Sequence, residues 1–208
     1  MASRNAEKVC DHRQLVQKYL QQKLAKSGHA WEFEDEDEEE EDEDEEEEED
    51  GHGDGGDWDE QKSAAVLGAL LAAGAELQRL YRAEVNALAE RLAPEPGQER
   101  RSFAAVAEEM FRGGVNWGRI VALLEFGAAV SAQRGRHAAV SRCITRALNA
   151  SKVRHWIRDN GGWDAFVDLY GRQKESVLSS SWPSIMTVFS LAALGAVGFT
   201  IGAYLAQK

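Results

Sequence analysis

The chain has 208 residues, 43% of them apolar, which is enough for one domain of ordinary size with appendages. Its net charge of −12 conceals two unlike parts: residues 32–60 hold 22 of the 36 acids and no Lys or Arg, leaving the remainder at about +10. Cys10 and Cys143 are too few and too scattered for a disulfide framework or a zinc site, and no apolar signal-peptide core opens the N-terminus, so the composition predicts a reducing, cytosol-facing body.

The first predicted element is a helix over Val9–Ser27, with Val9, Val16, Tyr19, Leu20 and Leu24 at three- and four-residue spacing, Asp11 in its first turn and Gly28 beyond its end. The unbroken acidic run Glu34–Asp50 follows, extended by the glycine-rich Gly51–Gly56. Such a block repels itself and buries nothing, so a solvated linker is expected. Weak calcium buffering and an electrostatic latch over the basic body are the alternative readings, and calcium-loop spacing is absent.

Ser63 to Leu92 reads as one long helix with a stripe of Leu67, Leu70, Gly74, Leu77, Tyr81 and Leu88, ended by Pro94, Pro96 and Gly97. Ser102 is the predicted N-cap of a helix bearing Phe103, Val106, Met110 and Phe111, stopped at Gly113-Gly114. Asn116 caps the next, in which only Arg119, Glu125 and Ser131 are polar between Trp117 and Ala132. A helix apolar on all sides must be surrounded by others. Gly135 breaks it, and a second central helix is predicted over His137–Trp156 with Val140, Ile144 and Leu148 inward. Asn149-Ala150-Ser151 fits a glycosylation sequon but reads as helix surface without a secretory signal. Asn160-Gly161-Gly162 makes a turn, and Trp163, Phe166, Val167 and Tyr170 give a last short amphipathic helix closed by Gly171. The fold class is all-α.

From Ser176 to Gln207 there is no charge, and Ile185–Ala206 is almost wholly apolar. As a helix those residues would span ~33 Å, about one bilayer core. Trp182 and Tyr204 occupy interfacial positions, and only Gln207 and Lys208 follow, which predicts a tail anchor carrying Ile185, Phe189, Leu194, Gly198, Gly202 and Leu205. The Gly198–Gly202 spacing allows a homodimer through the membrane. The organisation read from the sequence is therefore 1–31 an N-terminal amphipathic helix, 32–61 an acidic loop, 62–171 the rest of a helical bundle, 172–183 a linker and 184–206 a transmembrane helix.

No catalytic residue, cofactor site or metal site is recognisable: the five histidines are dispersed, and no phosphate-cradling glycine loop or nucleophile elbow is present. The basic residues are spread over several helices without an aromatic-interleaved stripe, which argues against nucleic acid. Two features carry more. Arg119 is a permanent cation at the mouth of the most apolar helix, and it needs water or a carboxylate, either Glu109 or Glu125 of its own chain or one from elsewhere. Leu77, Tyr81, Phe103, Val106, Met110 and Phe126 are either plain core or the lining of a groove for another amphipathic helix.

At these residues the sequence resembles the B-cell lymphoma 2 family of apoptosis regulators, in its multi-motif prosurvival branch. Glu108–Gly127, EEMFRGGVNWGRIVALLEFG, is similar to the family's first homology motif, and Trp156–Gly171, WIRDNGGWDAFVDLYG, to the second. Asp11–Trp31 resembles the fourth motif, and the ending GAYLAQK resembles family tails. The third motif, Ala69–Tyr81, keeps Leu70 and Gly74 but has Ala75, followed by Glu76, where the family has Asp. Gly113 likewise stands where many members have Asp.

The resemblance implies a bundle around two central hydrophobic helices and a groove that captures the third-motif helix of a proapoptotic relative of the Bax, Bak or activator type. It implies apolar contacts at Leu77, Tyr81, Phe103, Val106, Met110, Ala122, Phe126 and Tyr170, an aspartate of the partner on Arg119 aided by Asn116, and close backbone approach at Gly118. The implied activity is antiapoptotic, on the cytosolic face of the mitochondrial outer membrane or endoplasmic reticulum, without enzymatic chemistry. Two alternatives stand beside it: a proapoptotic pore-forming effector of the same family, and a membrane-tethered acidic scaffold.

Overall fold

The computed structural model describes residues 11–28, 60–91 and 98–171. The acidic run, the stretch 92–97 and everything from 172 on, with Ile185, Phe189, Leu194, Gly198, Gly202 and Leu205 of the expected anchor, lie outside the described residues. Among the described residues no helix is long and apolar enough to cross a membrane.

Seven helices are described, α1 (His12–Lys26), α2 (Glu60–Arg91), α3 (Glu99–Phe111), α4 (Trp117–Arg134), α5 (His137–Asn149), α6 (Ser151–Asp159) and α7 (Gly162–Gly171). They form the expected all-α bundle. Its axis is α4, in which every residue from Trp117 to Ser131 except Arg119 is buried. That follows from a composition with no polar face: the helix can satisfy its apolar surface only by being enclosed. α1, α2, α3 and α5 pack around it, α7 lies on α2, and α6 bridges α5 and α7. Close approach of the two central helices depends on Gly127, where a Cβ would overlap the Ile144 side chain.

Several boundaries differ from the sequence reading. Asp11 is the N-cap of α1, its Oδ1 accepting from the Arg13 and Gln14 amides, so it precedes the first turn; Val9 lies outside the described residues. α2 starts at Glu60 and is kinked at Tyr81 (φ −132, ψ 24), so the predicted single helix is two segments that change direction at the end of the third-motif stretch. Beyond the kink, Gln133 of α4 donates to the Asn86 carbonyl at 3.4 Å.

Ser102 is not an N-cap. Its amide already donates to the Gln98 carbonyl at 3.0 Å, placing it one turn inside a helix that begins at Glu99. The second central helix is also shorter than predicted, because Ala150 takes an extended conformation (ψ 134) and serves as C-cap of α5 and N-cap of α6. The sequon Asn149-Ala150-Ser151 is exposed, as expected, but lies at this break. The break turns α6 so that Trp156 meets Trp117 edge-on, with ring centroids 5.0 Å apart. The turn at Gly161-Gly162 is as predicted, both residues having positive φ (84 and 65), which glycine adopts without steric cost.

Candidate partner-helix site at the mouth of the central helix

The site is built on the first turn of α4. Asn116 holds extended backbone (φ −155, ψ 163), and its side-chain oxygen accepts the Arg119 amide at 2.9 Å. The bond satisfies one of the amides that the start of a helix leaves open and fixes the direction in which the turn begins. From that turn the Arg119 side chain runs back over the preceding glycines, where Nη1 donates to the Gly114 carbonyl. A Cβ on Gly113 would sit 3.0 Å from Arg119 Nη2, so the guanidinium lies directly against the residue that replaces the family aspartate. Lys152 of α6 secures the same corner by donating to the Phe111 carbonyl at 2.8 Å, satisfying an open acceptor at the end of α3.

Neither internal acid named from the sequence reaches this cation. Glu109 pairs with Arg112, one turn along on α3. Glu125 is at the other side of α4, 2.6 Å from Lys23 Nζ and hydrogen-bonded by the Tyr19 hydroxyl. Arg119 thus has no ion pair among the described residues, and its Nε is buried without a hydrogen-bond partner. A buried donor left unmade costs about 1–3 kcal/mol. The arrangement leaves an unfilled demand for an acceptor at the mouth of α4.

The apolar residues assigned to the groove fall in the same continuous core. Leu77, Phe103, Val106, Met110, Ala122, Phe126 and Tyr170 are buried, and Tyr81, at the α2 kink, is half-buried against them. Phe103 of α3 and Phe126 of α4 are in ring contact, with centroids 5.1 Å apart. Tyr170 of α7 stacks on Phe166, which touches Trp117 at the start of α4, so the second-motif helix is tied to the same corner as Arg119. Burial holds the Tyr170 phenol up to about 12, and its hydroxyl has no hydrogen-bond partner among the described residues. Gly118 is buried in the first turn between Trp117 and Arg119.

Two buried polar clusters were missed by sequence reasoning. In the first, Glu125 is fully buried with Tyr19 and Lys23 of α1, and Gly74 of α2 lies so close that a Cβ there would overlap both Glu125 Oε1 and the Tyr19 hydroxyl. Burial raises the Glu125 carboxyl above its ordinary range, an effect opposed by the Lys23 ammonium. The Tyr19 phenol is raised well above its ordinary value by burial and by the facing carboxylate. The one signal available was that Glu125 is the only acid inside α4.

In the second cluster, His12 of α1 joins Asn149, at the end of α5, through Nδ1 at 2.7 Å, and accepts the Trp163 indole N–H on Nε2 at 3.1 Å. An indole nitrogen can only donate, so Nε2 is unprotonated and the proton of the neutral ring is on Nδ1, donated to Asn149 Oδ1. No motif signalled this bond.

Comparison with known proteins points to one family. The family profile described as "Apoptosis regulator proteins, Bcl-2 family" matches residues 70–163. The chain is 40% identical over 146 residues to "Apoptosis regulator Bcl-2" of Gallus gallus, covering 67% of this chain and 62% of that protein. It is 37% identical over 161 residues to "Apoptosis regulator R1" of Xenopus laevis, covering 70% and 68%, and 45% identical over 114 residues to "Bcl-2-like protein 1" of Rattus norvegicus, covering 52% and 48%. The chain spans about three-fifths of the length of the Bcl-2 relatives it matches.

Proposed function

The chain belongs to the Bcl-2 family of apoptosis regulator proteins, and from that premise we propose that it is an antiapoptotic member that binds the third-motif helix of proapoptotic relatives at the mouth of α4. The single observation that carries this reading is Arg119: a permanent cation with a buried, unpartnered Nε and no acid paired with it among the described residues. A helix offering an aspartate there would supply the missing acceptor. Its apolar residues at three- and four-residue spacing would exchange the Phe103–Phe126 contact for contacts of their own and reach Leu77, Val106 and Met110. A charge-assisted bond of this kind contributes about 1.5–3 kcal/mol, with the apolar anchors supplying the larger share. The chain is poorly equipped to act as such a ligand itself, since its own third-motif stretch has Ala75 at the acid position.

We further propose that residues 184–206 anchor the protein in the mitochondrial outer membrane or the endoplasmic reticulum, with the bundle in the cytosol, where it would hold Bax- and Bak-like effectors and their activators and prevent permeabilisation. The test of the site is titration of a synthetic third-motif peptide into the protein. Arg119→Glu should weaken binding at least tenfold with helical circular dichroism unchanged, and equal affinity of the two proteins overturns the assignment.

A further inference from the structure

Charge is sorted by helix in this bundle. α1, α5 and α6 together hold nine Lys and Arg and a single carboxylate, Asp159, the last residue of α6. No acid occurs anywhere from Phe126 to Arg158. The three helices are neighbours, since α5 packs on both α1 and α6. Lys18 and Lys26 of α1, Arg142 of α5, and Lys152, Arg154 and Arg158 of α6 are all exposed, and the helices that carry them are in contact. The exposed carboxylates of the described residues, apart from Asp11 and Asp159, are on α2, α3 and α7.

The same chain holds a matching block of opposite sign. Glu34–Asp50 is seventeen consecutive acids, and it starts six residues after Gly28, which closes α1. Six residues reach no more than about 21 Å, so the run begins within that distance of the cationic helix that precedes it. The tether is fixed at both ends by the fold. His12 bonds to Asn149, so the start of α1 lies at the end of α5 and the end of α1 lies toward the start of α5. The chain is described again at Glu60, at the start of α2, where Lys62 pairs with Asp164 near the start of α7, beside the Trp163 that bonds to His12. The described chain therefore stops at Gly28, toward one end of the α1–α5 pair, and resumes at Glu60 near the other.

We propose that the acidic run 34–50 docks on the cationic face of α1, α5 and α6 of its own chain. Attraction between many exposed charges falls off over a Debye length of about 8 Å at physiological ionic strength, so it acts only when the two blocks are held close. The double tether does this, since a short linker presents its segment at millimolar effective concentration. Occupied in this way, the face is neutralised and closed to other polyanions. The contact is salt-sensitive and asks for no fixed register, because every position of the run has the same sign.

The experiment is zero-length carbodiimide coupling on the full chain, which joins a lysine amine to a carboxylate only when the two are in contact, read out by mass spectrometry. Coupling to Lys18, Lys26 or Lys62 reports only sequence proximity. The informative lysine is Lys152, more than a hundred residues from the run. The expected result is a 34–50 to Lys152 product at low salt that falls at least fivefold in 1 M NaCl. The triple variant Arg142→Glu, Arg154→Glu, Arg158→Glu should lose it to a similar degree, whereas the exposed α2 variant Arg82→Glu should retain it. In an equal mixture of 14N- and 15N-labelled protein, the product should be single-label. Absence of the Lys152 product, its persistence in the triple variant, or a mixed-label product joining two copies each overturns the proposal.

Discussion

Gly74 of α2 faces Glu125 of α4 at a distance that leaves no room for a side chain: a Cβ there would overlap the carboxylate oxygen that Lys23 and Tyr19 share. The glycine at this third-motif position is therefore required by packing against a buried charge and not by backbone conformation. Gly74→Ala should destabilise the bundle by about 2–3 kcal/mol, the upper part of the overpacking range, since the neighbours cannot retreat without giving up polar contacts. The urea midpoint measures it, and a loss below about 0.5 kcal/mol would show that α2 can shift freely.

The Lys23–Glu125 pair should behave asymmetrically on mutation. Its side chains are 10% and 0% exposed, so the carboxylate depends on its partner far more than the ammonium does. Lys23→Met leaves a charge buried without compensation, at a cost of about 3–5 kcal/mol. Glu125→Gln should cost less, because the amide keeps a hydrogen-bond acceptor for Tyr19 while Lys23 turns to nearby water. A double-mutant cycle gives the coupling, and equal single losses with no coupling would contradict this picture.

His12 ties stability to pH. Burial lowers its pKa below the ordinary 6.5, against smaller raising effects from Asn149 and Asp11 and alongside a lowering effect from Arg154. Because the folded value lies below the unfolded one, the neutral ring's contribution is complete above about 6.5 and is lost as pH falls through the folded value. Protonation would place an N–H on Nε2 against the Trp163 N–H, two donors facing each other. The urea midpoint of the wild type should fall between pH 7 and 5 by more than that of His12→Gln, which cannot titrate. Parallel profiles would remove His12 from the account.

At the mouth of α4, Asn116→Ala should cost about 1 kcal/mol through the lost cap. Gly113→Asp should act in the opposite direction and stabilise the free protein by roughly 0.5–1 kcal/mol, by giving Arg119 a counter-charge and by restricting the unfolded chain. In an Arg119→Ala background the counter-charge part of the gain should vanish, leaving only the part due to the restricted unfolded chain. Thermal melts of the four variants decide the point.

The helices were legible because three- and four-residue periodicity is a local property. The enclosure of α4 follows from it, and the Asn116 cap and the turn at Gly161 from residue types close by, whereas spacing alone did not decide whether Phe103, Val106, Met110 and Phe126 are plain core or groove lining. The breaks at Tyr81 and Ala150 were not legible, since neither Pro nor Gly marks them and the neighbours met beyond them, Gln133 and Trp117, lie elsewhere in the sequence. The partners of Glu125 and His12 were beyond reach for the same reason. Arg119 is instructive in another way: its need for a carboxylate or water was plain from the sequence, and the geometry showed that neither Glu109 nor Glu125 meets it.

The separation of Tyr19 from Glu125 by 106 positions also orders events in time. Docking α1 onto α4 closes a long loop, and the entropy of closure is lost before any contact compensates it. Helices α4 to α7 meet through short connections and can form a nucleus without α1. Folding kinetics should therefore show substitutions at Tyr19 and Leu20 speeding unfolding with little effect on the folding rate, and Ile144 and Phe166 doing the reverse. The N-terminal helix is made first and placed last, and until it arrives the carboxylate at the heart of the bundle waits without its counter-ion.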